Sequence, residues 1–155
     1  MYKRYLVVFT FFITLVGCFF LFFDKSSNKE LYTDYFNRLN NATQFADIDE
    51  NHELNINVES AYIQNQYHYI VTFTSNATLN NFKAMVVPSE DNTGEYYPSF
   101  GIFDNENINL VQSKNSESET KGVNLVVTNR EKLEAFKIYV SYNNYEYYYM
   151  YVMGE

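Results

Sequence analysis

The sequence predicts a mostly β protein, an antiparallel β-sandwich of immunoglobulin-like type preceded by a membrane helix and a short amphipathic α-helix. Three observations carry this. Residues 5–23 form an apolar run without charge or proline. After it the hydrophobic spacing is helical for one short stretch, then alternates from Glu53 onwards. Finally, eight short strand-like segments follow one another with polar breaks and no interleaved helices, the pattern of an antiparallel sandwich rather than a parallel sheet. A closed barrel is the alternative.

Length and charge bound the function. A chain of 155 residues suffices for one domain plus an anchor. The formal net charge is −8, and without Lys3 and Arg4 the remainder carries 9 basic and 19 acidic residues, a net −10. Such a surface repels phosphates and anionic lipid headgroups, so nucleic acid is not an expected partner. Cys18 is the single cysteine, and it lies within the apolar run. The domain beyond it has neither a disulfide nor a thiol metal site and must stand on its hydrophobic core. There are 16 Tyr and 14 Phe but no Trp. Together with abundant Asn, Ile and Lys, this enrichment also fits an AT-rich coding sequence.

Residues 1–4 read as a cytoplasmic basic leader, because Lys3 and Arg4 precede the apolar run while Asp24 and Lys25 beyond it cancel. The positive-inside bias then sends the rest outwards. Residues 5–23, rising about 1.5 Å each as a helix, just span a bilayer core roughly 30 Å thick. Within them Leu15-Val16-Gly17-Cys18 resembles the lipobox of bacterial lipoprotein signal peptides. The resemblance implies cleavage before Cys18, a diacylglyceryl group on its sulfur, and a bacterial cell surface. Phe19-Phe20-Leu21-Phe22-Phe23 departs from that pattern by prolonging the apolar run, which a spanning helix needs and a lipid anchor does not. The spanning anchor is the preferred reading and the lipoprotein the alternative. Either places the remainder outside the cytoplasm.

Residues 24–46 read as a linker and amphipathic helix. Ser27 and Glu30 fit a capping box, Leu31, Tyr35, Phe36 and Leu39 share one face, and Asn40-Asn41 ends the element. The element is either a stalk or a helix packed on the first strand of the domain, residues 47–155, and its apolar stripe favours packing. There, Leu54, Ile56 and Val58 alternate with polar residues. Tyr67–Thr74 pairs with that strand through a Gln64-Asn65-Gln66 turn. Further strands are predicted at Phe82–Val87, Tyr96–Phe103, Ile108–Gln112, Val123–Thr128, Ala135–Tyr142 and Glu146–Val152, with a helical turn at 129–134.

The last hairpin supplies the candidate ligand surface. A three-residue Asn143-Asn144-Tyr145 loop sets Val140 against Tyr148, Ile138 against Met150 and Phe136 against Val152. Tyr139, Tyr147, Tyr149 and Tyr151 then share the outer face as rigid contact area with polar tips. A two-residue Asn143-Asn144 turn shifts the register by one and turns the last three tyrosines inwards. Pairing aliphatic with aliphatic residues favours the longer loop.

No other motif carries chemistry. Asp47-Ile48-Asp49-Glu50-Asn51 opens like a calcium loop, but His52 replaces the loop glycine and Val58 the closing glutamate. A looser cation site with Glu53 or with Asp104-Asn105-Glu106-Asn107 is weaker than a plain acidic connector. His52 and His68 lack ligand spacing, Glu117 and Glu119 sit in a polar loop, and no nucleophile elbow or phosphate loop occurs. Asn41-Ala42-Thr43 and Asn76-Ala77-Thr78 match the N-glycosylation sequon, which matters only in a eukaryotic source. The chain is therefore expected to be non-catalytic, without cofactor or metal. It reads as a membrane-anchored extracytoplasmic module binding a protein, peptide or envelope glycan. The rival reading is a structural or accessory subunit of a membrane assembly of secretion, conjugation or immunity type.

Overall fold

The computed structural model describes residues 28–46, 53–102 and 108–154. The apolar run 5–23, with Cys18, and the capping serines lie outside them. Among the described residues no helix is long and apolar enough to cross a membrane.

Helix α1 covers 28–41 and ends at the Asn40-Asn41 pair. Strands β1 (Leu54–Ile63) and β2 (Gln66–Ser75) form a long hairpin. They are followed by β3 (Lys83–Pro88), the short β4 (Asn109–Leu110) and β5 (Glu119–Thr120), then β6 (Gly122–Asn129), β7 (Ala135–Tyr142) and β8 (Tyr145–Val152). The architecture is mostly β, with two three-stranded antiparallel sheets ordered β1-β2-β6 and β3-β7-β8, and a parallel β4–β5 pair.

Side chains of both three-stranded sheets meet in one core. Tyr69, Val71 and Phe73 alternate inward along β2, as do Leu125 and Val127 on β6, and all are buried. Phe136, Ile138 and Val140 do the same on β7. The Tyr69 ring stands edge-on to Phe136 with centroids 5.1 Å apart, and the Tyr69 hydroxyl accepts the Leu133 N–H at 2.7 Å. A buried phenol thus satisfies its polar end while its ring joins the two sheets. β3 is apolar at four successive positions, Ala84 to Val87, and all four are buried because the strand is covered on both faces.

The second covering is α1. It packs against β7 and β8 and not against the first strand as expected: Tyr35 stacks on Tyr139 at 4.6 Å, and the Lys137 ammonium donates to Asn40 Oδ1 at 2.9 Å. Tyr32 joins Tyr35, Phe36 and Leu39 in the buried stripe and meets the Tyr96 ring edge-on. Gly94, at φ +64, lies against the Phe36 ring, where an added Cβ would sit 3.2 Å from it. The left-handed backbone and the close approach both require glycine there.

Three expected elements differ. Tyr96–Phe103 is not a strand, because Pro98 starts a 3-10 turn over Pro98–Phe100 and only Gly101 bridges to Met85. Ile108–Gln112 shrinks to the two residues of β4, whose partner β5 lies in a segment too polar to read as a strand. The stretch between β6 and β7 is a bend rather than a helical turn. It redirects the chain from one sheet to the other and sets Leu133 against the core, where its N–H donates to the Tyr69 hydroxyl.

Candidate interaction surfaces

The four tyrosines of the last hairpin do not share a face. Asn143 and Asn144 both adopt left-handed backbone, φ 51 and 66, and form a two-residue turn closed by Tyr142 opposite Tyr145. That is the mirror-type turn whose twist suits a hairpin, and Asn enters it at little cost. The three-residue loop is therefore corrected, and the register moves by one. Tyr147, Tyr149 and Tyr151 stand opposite Val140, Ile138 and Phe136 on the core side, while Tyr139 stands opposite Tyr148 on the side covered by α1. Tyr149 is 0% and Tyr139 2% exposed, and Tyr147 and Tyr151 are half-buried. The aromatic rings outweigh the aliphatic match because they fill more of the core per residue.

Around Tyr139 a polar cluster fastens helix to sheet. Glu146 receives hydrogen bonds from the Tyr139 hydroxyl at 3.2 Å and the Tyr148 hydroxyl at 3.1 Å, and pairs with the Arg38 guanidinium at 2.7 Å. Arg38 also holds Asp34 one turn away at 3.0 Å. Burial, followed by the Glu146 charge and Tyr35, pushes the Tyr139 phenol well above the ordinary tyrosine range. Burial and the Glu146 hydrogen bond raise Tyr148, and burial and Asp34 raise Tyr35. Arg38 is held protonated by its bond to Asp34 and the Glu146 charge. The three phenols and the guanidinium are thus all held in their protonated forms. The cluster is a clasp, and a modest one, since the Arg38 and Glu146 side chains remain 44% and 38% exposed.

The exposed apolar surface lies elsewhere. From Glu59 to Ile63 every residue of β1 is exposed, and the hairpin carries Tyr62 at 61% and Ile63 at 53%. Tyr62 packs sideways on Tyr67, with centroids 4.7 Å apart. On the outer face of the same sheet Ile70 pairs with Val126, and both are exposed. Sequence reasoning missed this surface. Its signal was present in Ala61-Tyr62-Ile63, where three apolar residues in succession break the alternation and no longer assign one side to the core.

Backbone exposure follows the same pattern. The outer edge of β8 receives the Ala46 N–H on the Tyr148 carbonyl at 2.8 Å. The outer edge of β3 is capped similarly, the Ile102 N–H donating to the Ala84 carbonyl at 2.8 Å, and the 3-10 turn lies along β6. Among the described residues no strand pairs with the outer side of β1, which is the terminal strand of its sheet.

The remaining candidates form no assembled site among the described residues. Asp47–Asn51, His52 and residues 104–107 lie outside the described residues. His68 is half-buried on β2, its Nδ1 3.4 Å from Thr128 Oγ1. Glu119 accepts the Asn115 and Ser116 amides at 2.6 and 2.9 Å, shaping its own loop, while Glu117 stays exposed. Among the described residues no group of three or more His, Cys, Asp or Glu could hold a metal ion. No protein-family model matches the chain, and no curated protein is significantly similar to it.

Proposed function

We propose that the chain is a membrane-anchored, extracytoplasmic, non-catalytic interaction module of a bacterial cell surface, its two sheets forming a sandwich of immunoglobulin-like type. The observation that carries the reading is the β1–β2 hairpin, whose last five β1 residues are exposed and end in Tyr62 and Ile63. Exposed aromatic and aliphatic residues grouped at the tip of an edge strand are the usual substrate of protein or peptide recognition. The ligand surface moves accordingly from the tyrosines of β8 to this hairpin, and the favoured ligand is a protein or peptide rather than a glycan. The apolar run 5–23 supplies the anchor, either as a spanning helix or through a lipid on Cys18.

The rival reading, an accessory subunit of a membrane assembly, draws on the clasp. Helix α1 starts within a few residues of the apolar run and is fastened to β8 through Arg38 and Glu146, so the anchor and domain are linked without a long spacer. Crosslinking in intact cells followed by affinity purification separates the two. A binding module yields a defined partner that persists when residues 5–23 are replaced by an unrelated anchor and disappears in the Tyr62→Ser/Ile63→Ser variant. An assembly subunit gives the opposite pattern. Recovery of no enriched partner overturns both.

A further inference from the structure

The sheet β1-β2-β6 reaches past the sheet it packs on. Tyr62 stands opposite Tyr67, and Tyr67 opposite Asn129, so the three side chains form one row across β1, β2 and β6. The row lies on the core side of the sheet, because Tyr69, two residues beyond Tyr67, is buried against Phe136. Yet Tyr62 is exposed, Ser60 opposite the buried Tyr69 is exposed, and Tyr67 and Asn129 are only half-buried. The second sheet therefore ends short of this row and leaves an aromatic strip open to solvent. Behind the strip the chain turns at 130–134, where the Leu133 N–H closes on the Tyr69 hydroxyl. The Tyr62 ring tilts 52° from the Tyr67 ring and forms a crease with it, while Tyr67 stacks beside Tyr69. Among the described residues no protein hydrogen bond engages the Tyr62 hydroxyl, the Tyr67 hydroxyl or the Asn129 side-chain amide.

We infer that this strip docks an extended, proline-containing segment of a partner protein, flanked by Lys or Arg. The inference rests on the interaction-module reading and names the chemistry of the partner. Shape is the first argument. A sugar ring stacks its flat face on one aromatic plane, whereas two rings tilted into a crease receive the ridge of a pyrrolidine ring. Spacing is the second. From Tyr62 to Asn129 the row crosses two inter-strand spacings, about 9–10 Å. A polyproline II segment returns to the same face every third residue, about 9 Å along its axis. A proline seated between Tyr62 and Tyr67 therefore brings the residue three positions along to Asn129. Such a segment makes no internal hydrogen bonds, so its carbonyls are there for the Asn129 amide and the two phenols to donate to. Charge is the third argument. The 130–134 turn carries Arg130 and Lys132 as well as Glu131 and Glu134, so the local charge balances. The net −8 of the chain then sets the sign and draws in a basic flank.

The test uses the full chain in a mild non-ionic detergent and an array of blocked octapeptides with a central Pro-Pro and every pair of flanking residues. Peptides with a central Ala-Ala are the control. The expected result is binding to Pro-Pro peptides flanked by Lys or Arg, and not to their Ala-Ala or acid-flanked counterparts. Fluorescence polarisation of the tightest peptide then reads the variants. Tyr62→Ala raises its dissociation constant at least about tenfold and Asn129→Ala about threefold, with circular dichroism unchanged. Ile63→Ala, on the opposite face of β1, changes it by less than about twofold. An array in which no Pro-Pro peptide exceeds its Ala-Ala control, or binding that Tyr62→Ala leaves unchanged, overturns the inference. Binding of cellohexaose or chitohexaose in place of the peptides, lost in Tyr62→Ala, makes the strip a glycan site and overturns it as well. A blank array beside a cellular partner that is lost in the Tyr62→Ser/Ile63→Ser variant defeats the proline segment alone and leaves the interaction-module reading standing.

Discussion

Replacing Tyr149 by alanine tests the register of the last hairpin and the core it builds. In the two-residue turn Tyr149 faces Ile138 and is 0% exposed, while its neighbour Met150 faces Lys137 and is half-buried. A buried aromatic removes roughly 150–200 Å² from water, worth about 4–5 kcal/mol at about 25 cal/mol per Å². Truncation of large core aromatics costs about 3–5 kcal/mol by direct measurement, so about 4 kcal/mol is the working value. For Met150→Ala the partial exposure reduces the expected cost to about 1 kcal/mol. A domain of this size holds roughly 5–15 kcal/mol in total, so Tyr149→Ala removes a large fraction of it. With a urea slope of about 2 kcal/mol per molar, the midpoint falls by about 2 M for Tyr149→Ala and about 0.5 M for Met150→Ala. Tyrosine near-ultraviolet circular dichroism provides the readout, since the chain has 16 Tyr and no Trp. A larger loss for Met150→Ala than for Tyr149→Ala would refute the register and restore the three-residue loop.

Other consequences can be read in the same assay. Leu39 is fully buried in α1, so Leu39→Ala should cost about 3 kcal/mol in a single cooperative transition; a change below about 0.5 kcal/mol would mean that the helix is a free stalk. Asn144→Gly should stabilise by roughly 0.5–1 kcal/mol by relieving left-handed backbone. Asn143→Ala should destabilise by about 2 kcal/mol, because Asn143 Oδ1 also accepts the Asn80 N–H at 2.9 Å. The raised phenols of Tyr139, Tyr35 and Tyr148 give an alkaline limit. Their unfolded values lie near about 10, and the folded state holds its protons above that. Stability is then level below about pH 10 and falls as pH rises further, since the unfolded chain binds fewer protons. Tyr139→Phe should move alkaline unfolding to higher pH, and an unchanged midpoint would remove the burial argument.

Local pattern alone identified the helix that ends at Asn40-Asn41, the first half of β1, and strands at β2, β3, β6, β7 and β8. Each is decided within one element: apolar residues return to one side every 3.6 or every two positions, and Asn pairs interrupt them. The tyrosine surface was not legible in that way. A turn shorter by one residue transfers every following side chain to the opposite face, and the sequence Asn143-Asn144-Tyr145 permits both lengths. What settles it is the space between the sheets, where Tyr149 and Tyr147 pack beside Tyr142, and the arrival of α1 over Tyr139. The β4–β5 pair and the 3-10 turn escaped for a related reason, since two-residue strands carry no periodicity and exist only through their partners. Composition and periodicity thus determined the helix and the longer strands. Packing between distant segments decided which faces are buried, and with them which tyrosines any partner can reach.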